Sequence, residues 1–190
     1  QVLLSLHNDG GGIQALTVPE NPSENAWDFS TITEFTEKED LSVGDIDRDG
    51  DLDVLTGEHW LENKGGSFSV HRLGHVRDGE ADRNDLADVN GDGRLDAIIA
   101  LELFTDVYWF EAPEDPRQEW KRHQLGTIAG QGFSMDTADF DYDGDPDVVI
   151  GEHRGEKQNR VVLFENRNNG KKWIEHVLDS DSKNNIDHHL

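Results

Sequence analysis

Three acidic nonapeptides limit what this chain can fold into: Asp45-Ile-Asp-Arg-Asp-Gly-Asp-Leu-Asp53, Asp88-Val-Asn-Gly-Asp-Gly-Arg-Leu-Asp96 and Asp139-Phe-Asp-Tyr-Asp-Gly-Asp-Pro-Asp147. Each reads D-x-[DN]-x-D-G-x-x-D, with side-chain oxygens at loop positions 1, 3, 5 and 9 and glycine at position 6. Carboxylates spaced this way project inward around a hard cation, position 7 adds a backbone carbonyl, and glycine permits the tight turn. The candidate ligands are Asp45, Asp47, Asp49, Asp51 and Asp53; Asp88, Asn90, Asp92, Arg94 and Asp96; and Asp139, Asp141, Asp143, Asp145 and Asp147. Asp51, Arg94 and Asp145 serve through their carbonyls. Calcium is the expected occupant, about three ions per chain, because it accepts six to eight oxygens in loose geometry whereas magnesium keeps its waters. An EF-hand would place a bidentate Glu at position 12, where this chain has Thr56, Ile99 and Ile150. Each loop runs into an apolar β segment instead of a helix.

The loops also account for much of the charge. Of 41 acidic residues, 13 are aspartates within these nonapeptides, and the formal net charge is -24. Such a surface repels nucleic acid and anionic membranes, so neither is an expected partner. No apolar run approaches the ~20 residues of a transmembrane helix. Cysteine is absent, which excludes disulfides and thiolate metal sites. A chain stabilised by calcium rather than cross-links suits an extracellular setting, secreted, on a cell surface or periplasmic, because extracellular modules work with weak calcium sites. The opening residues Gln1-Val2-Leu3-Leu4 read like the inside of a strand, which places the true N-terminus upstream.

A longer period appears once the loops are aligned. A short apolar strand and a turn follow each loop: Val54 to His59, Ala97 to Glu102 and Val148 to His153, with Val2 to His7 in the same frame. The next strand holds Ile13 to Leu16, Val107 to Phe110 or Val161 to Phe164, and a further strand begins at Trp27, Phe68, Trp120 or Trp173. The equivalent residues His7, His59, Glu102 and His153 stand 52, 43 and 51 residues apart. A period near 45–50 residues with four short strands per unit is the pattern of β-propeller blades, which stack because none buries its faces alone. The approximate repeats are 1–40, 41–83, 84–134 and 135–190 of one all-β segment.

On its loops and period, the whole chain resembles the FG-GAP/VCBS repeat family of calcium-stabilised β-propellers, which includes integrin α-subunit heads. The resemblance implies that each acidic loop joins the innermost strand of a blade to the second strand on the bottom face. Repeat one lacks its loop, and no fourth loop follows Asp187-His188-His189-Leu190. Seven blades are usual in the family, so about four blades imply a fragment, or a set completed by other blades or a second chain.

The same topology sends His7, His59, Glu102 and His153 to the upper mouth of the channel, with Asp40, Arg83, Asn84, Asp85, Asp136, Asp187, His188 and His189 nearby. Imidazoles converging with carboxylates bind zinc or transfer protons. The resemblance extends to polysaccharide lyases and aldos-2-ulose dehydratases, which implies catalytic roles for His59, His153 and His188 and zinc ligation by His7, His59, His153, His188 and His189. Against this stands the rule that a residue recurring in every repeat usually serves the architecture. A second series, His71, His123 and His176, stands two or three positions after an aromatic residue in the strand and reads as packing or inter-blade hydrogen bonding. Trp120 and Trp173 read as outer-strand packing. Trp60 and Trp109 read as core, with sugar stacking as the alternative. No phosphate loop, nucleophile elbow or cysteine nucleophile is present. Three functions remain: a secreted binding module offering its top face to a glycan or an extracellular protein, a sugar lyase or dehydratase, and a purely structural role within a larger multidomain protein.

Overall fold

A computed structural model of the chain describes residues 1–6, 11–35, 40–76, 81–154 and 159–181. It is all-β, and among the described residues no helix is long and apolar enough to cross a membrane. Among the described residues, fifteen strands form four antiparallel sheets. The first sheet has three strands, β1 (Val2–Leu6), β2 (Gly12–Thr17) and β3 (Asp28–Thr33). The second has β4 (Ser42–Gly44), β5 (Asp53–Thr56), β6 (His59–Asn63) and β7 (Phe68–Arg72). The third has β8 (Ala81–Ala87), β9 (Asp96–Leu101), β10 (Asp106–Glu111) and β11 (Lys121–Thr127). The fourth has β12 (Gln131–Ala138), β13 (Asp147–His153), β14 (Asn159–Arg167) and β15 (Lys172–Asp181). Strands within a sheet pair in chain order, so each sheet is a meander. β8 and β12 begin a few residues ahead of positions 84 and 135, where the periodicity starts its third and fourth repeats.

Alternation along the central strands explains why the sheets stack. In β9, Ala97, Ile99 and Leu101 join a core with Leu55, Trp60 and Leu73 of the second sheet. Their neighbours Ile98 and Ala100 point the other way, into a core with Val148, Ile150 and Phe164 of the fourth sheet. A strand buried on both faces reads as a continuous apolar run, and every residue of β9 is buried. β5 divides its side chains likewise: Leu55 faces the third sheet, and Val54 packs with Ile13 of the first. Burying each Leu, Ile or Val contributes about 1.5–3 kcal/mol. The outer strand β15 faces solvent along most of its length, with Glu175 to Ser180 exposed.

Hydrogen bonds between the first strands of adjacent sheets fix the spacing of the stack. Asn84 donates its backbone N–H to Asp40 Oδ2 at 3.0 Å, and Ser42 Oγ donates to the Asn84 carbonyl at 3.0 Å. One sheet further on, Thr137 Oγ1 donates to Asp85 Oδ2 at 2.6 Å. Arg83 donates Nε to the Phe133 carbonyl and lays its guanidinium 5.4 Å from the Phe133 ring centre.

Candidate metal centre

Each acidic loop joins the first strand of its sheet to the second, β4 to β5, β8 to β9 and β12 to β13. The three loops fold alike. Position 6 is left-handed in all of them, with φ of 99° at Gly50, 85° at Gly93 and 100° at Gly144. Position 4 is left-handed too, at Arg48 (61°), Gly91 (72°) and Tyr142 (61°). That double reversal curls the backbone inward, and Gly91 was the one sequence hint of it.

Hydrogen bonds then aim the carboxylates. The position-1 residues Asp45, Asp88 and Asp139 accept the position-6 N–H at 3.2, 2.8 and 3.0 Å. At position 3, Asp47, Asn90 and Asp141 accept the position-5 N–H at 3.3, 3.0 and 3.2 Å. The position-5 residues Asp49, Asp92 and Asp143 accept the position-7 N–H at 3.1, 3.0 and 3.0 Å. The position-3 and position-5 contacts are Asx turns, and each accepting oxygen keeps a second lone pair for a cation.

Position 9 ties the loop to the sheet. Asp53, Asp96 and Asp147 are fully buried at the start of the second strand. One oxygen of each accepts the position-2 N–H, from Ile46 at 2.9 Å, Val89 at 3.2 Å and Phe140 at 3.0 Å. The other accepts an N–H at the end of the third strand, from Asn63, Ala112 and Asn166, each at 2.8 Å. Burial nevertheless raises all three pKa values, outweighing those backbone donors, and Asp96, repelled also by Asp92 and Asp88, rises to about 7. Asp141 is raised as well, by burial and by the charges of Asp143 and Asp147. Such crowding disfavours charge unless a cation compensates it.

Carboxylate oxygens of Asp45, Asp47 and Asp49 lie within 4.8 Å of one another, as do those of Asp139, Asp141 and Asp147. In the first loop Asp45 Oδ1 and Asp51 Oδ1 are buried and accept no hydrogen bond. A set of carboxylates that includes an orphaned acceptor on Asp45 fits a hard divalent cation, with side chains at positions 1, 3, 5 and 9 to hold it. The second loop differs. Asn90 stands at position 3, and the Arg94 guanidinium folds back onto Asp92 while its Nε donates to the Ala112 carbonyl at 2.9 Å. Its own cation offsets part of its charge. Arginines flank the other two loops from outside: Arg117 of the third sheet donates to Asp47 Oδ2 at 2.7 Å, and Arg167 lies 3.3 Å from Asp143 and 3.5 Å from Asp141. Motif reading did not find these arginines, because nothing in the local sequence ties Arg117 to a loop 70 residues away.

The histidines divide differently. His59 meets the Phe35 ring edge-on at 4.9 Å, and His153 stacks on Phe133 at 4.6 Å. Each lies at the end of its sheet opposite the acidic loop, in a different sheet from the other. Glu102 there faces Arg154 at 3.7 Å. His7, His188, His189 and Asp187 lie outside the described residues, and among the described residues no three metal-binding groups that include a histidine converge. The second series is structural. His71 bonds Glu62 at 2.7 Å, His123 bonds Glu111 at 2.8 Å and His176 bonds Glu165 at 2.6 Å. These bonds run from the fourth strand to the third within one sheet, which corrects the inter-blade expectation. The pleat explains it: His71 sits opposite Trp60 and reaches the residue two further along, on the same face. His71 and His123 also stack on Trp60 and Trp109 at 4.8 and 4.2 Å. Both indoles are buried, so neither is a platform for a sugar ring.

Residues 88–150, the second acidic loop through the strand after the third, match the family model of the FG-GAP-like repeat. The chain carries an FG-GAP-like repeat. The first loop, 45–53, lies outside the matched residues and has the same backbone reversal and hydrogen bonds as the two loops inside them. A search of curated proteins gives no match for the chain. The FG-GAP-like assignment therefore rests on the repeat itself, whose loop, buried position-9 aspartate and following strand are the parts described above.

Proposed function

We propose that the chain is a calcium-braced segment of a β-propeller that works as an extracellular binding module. The carrying observation is the gathering of Asp45, Asp47 and Asp49, and of Asp139, Asp141 and Asp147, into oxygen-only clusters by one repeated loop geometry. Calcium suits such clusters better than zinc, which prefers nitrogen or sulfur and four ligands. The ion would neutralise carboxylates that otherwise repel one another and would hold the first two strands of each sheet together. The FG-GAP-like repeat and the stacking of four meanders support blades of a propeller completed by further blades or a second chain. A protein or glycan partner is the ligand class of such a module, met at the end of the sheets opposite the loops, where Glu102 and Arg154 lie. A sugar lyase or dehydratase is the second reading; His59 and His153, two of the residues it would use, each pack on a phenylalanine, and His188 lies outside the described residues.

Elemental analysis of protein purified without affinity metals, paired with melting curves with and without EDTA, tests the reading. At least two calcium ions per chain and a melting temperature lowered by EDTA are expected. No bound calcium and no EDTA shift would overturn it, and stoichiometric zinc would return the histidines to consideration.

A further inference from the structure

Between the second and third sheets, the chain fills its own groove. The connection from β10 to β11 carries Pro113-Glu114-Asp115-Pro116-Arg117, and it lies against the second sheet. The Pro116 carbonyl accepts the indole N–H of Trp120 at 2.8 Å and of Trp60 at 3.3 Å. Arg117 donates to Glu62 Oε1, while His71 and Lys64 occupy Glu62 Oε2 at 2.7 and 3.0 Å. Pro22 and Trp27 repeat the carbonyl-to-indole contact in the first sheet at 3.1 Å.

The matching place between the third and fourth sheets is open. There the connection from β14 to β15 is a tight turn over Asn168, Asn169 and Gly170 and carries no Pro-Arg segment. A groove of about 800 Å³ remains, lined by Asn90 and Asp92 of the second acidic loop and by Trp109, Glu111, His123 and Trp173 among others. Every anchor of the filled groove has its counterpart. Trp109 stands for Trp60, His123 for His71 and Trp173 for Trp120. Glu111 receives His123 and Lys121 on Oε2 alone, so Oε1 is left where Glu62 takes its arginine. The Trp173 indole N–H is buried and has no acceptor, where Trp120 has the Pro116 carbonyl.

We propose that this groove binds a loop or tail of a partner protein carrying a Pro-Arg pair preceded by acidic residues. The proline carbonyl would accept the Trp173 N–H, and the guanidinium would reach Glu111 Oε1, as Pro116 and Arg117 do one sheet earlier. A charge-assisted bond to the half-buried Glu111 carboxylate is the stronger of the two contacts. Lys171 and Lys172 also line the groove and suit the acidic residues before the pair, as Glu114 and Asp115 precede Pro116 in the internal segment. A buried indole N–H without an acceptor is costly, so a ligand that supplies one recovers that cost on binding.

The test uses the ¹⁵N-labelled full chain with calcium and the capped hexapeptide Pro-Glu-Asp-Pro-Arg-Gln as the probe. The readout is the Trp173 indole cross-peak, assigned by its disappearance in Trp173→Phe. A saturable shift is expected, with the midpoint raised at least tenfold when the peptide's arginine is replaced by glutamine, and likewise in Glu111→Gln protein of unchanged amide dispersion. An unmoved Trp173 peak at millimolar peptide, an equal midpoint for the glutamine peptide, or a shift produced by an acidic oligosaccharide and not by the peptide would each overturn the proposal. The inference rests on the binding-module reading, with this ligand held beside the second acidic loop rather than at the opposite end of the sheets: failure here with an intact EDTA-dependent melt removes this groove alone, whereas loss of the EDTA effect removes the calcium.

Discussion

Asp96 makes stability depend on pH in the direction opposite to most carboxylates, and that dependence should vanish when calcium is bound. Its ordinary pKa is 3.8, and burial lifts it to about 7 in the ion-free fold. A raised carboxylate pKa means that the folded chain holds a proton the unfolded chain has released, so stability falls as pH rises between those two values. The whole rise corresponds to about 4 kcal/mol. Between pH 6 and 8 the folded group itself titrates, and about 1.4 kcal/mol is lost across that interval, or about 3–6 °C in melting temperature for a chain of this size. Asp53, Asp141 and Asp147 shift upward too, burial being the largest cause, so their contributions carry the same sign. Glu62, Glu111 and Glu165 shift downward and titrate below pH 4.5, outside the interval. In EDTA the melting temperature should therefore be higher at pH 6 than at pH 8, and Asp96→Asn, which removes the charge while keeping one acceptor, should flatten the difference. With saturating calcium the ion favours the carboxylate, and the slope should disappear or reverse. Differential scanning calorimetry at the two pH values, with EDTA and with calcium, decides the matter. A wild-type melt in EDTA that rises from pH 6 to pH 8, or an Asp96→Asn slope equal to the wild type, would refute the reasoning.

Other perturbations test separate parts of the structure. Arg117→Ala removes the guanidinium from Glu62, which is buried; because Arg117 is half-exposed, a loss of about 1–3 kcal/mol is expected, below that of a fully buried pair, and measurable by urea unfolding. Burial raises the Glu62 pKa, but Arg117, Lys64 and His71 outweigh it and leave it at about 2. That part of the stability is present above pH 4.5 and is lost as pH falls toward 2, so the acid limb of the wild-type profile should shrink in Arg117→Ala. A methyl added at Gly126 would stand 2.5 Å from a ring carbon of Phe164 in the neighbouring sheet, so Gly126→Ala should cost about 1–3 kcal/mol in the same assay. Asp143→Ala should lower the melting temperature in calcium and leave it unchanged in EDTA. Asp92→Ala should do so more weakly, because Arg94 already offsets that carboxylate; equal effects would show that Arg94 does not compete with the ion.

What the sequence made legible, and what it did not, divides by the range over which the physics acts. The antiparallel meanders were readable because β9 and β13 are continuous apolar runs between turn-forming loops, and a strand's two faces follow from its own alternation. Loop ligation was readable for the same reason: positions 1, 3, 5 and 9 act within nine residues. The left-handed residue at position 4 escaped because Arg48 and Tyr142 occupy it with ordinary side chains, and only Gly91 betrays the conformation. Roles fixed by a neighbouring sheet were hidden altogether. Nothing near Trp60 announces that Pro116 will cap it from 56 residues away, and the Trp-x-Glu spacing of Trp60 and Glu62 is identical at Trp109 and Glu111, although Glu62 is covered by Arg117 and Glu111 stands half-buried beside a groove. The difference lies in the length of a connection in the following repeat, nine residues between β10 and β11 against four between β14 and β15. In a stack of meanders, the connection that one repeat lengthens or shortens decides whether the groove of the repeat before it is core or binding surface. The Pro-Arg segment and the unfilled Glu111–Trp173 groove are two outcomes of that single variable.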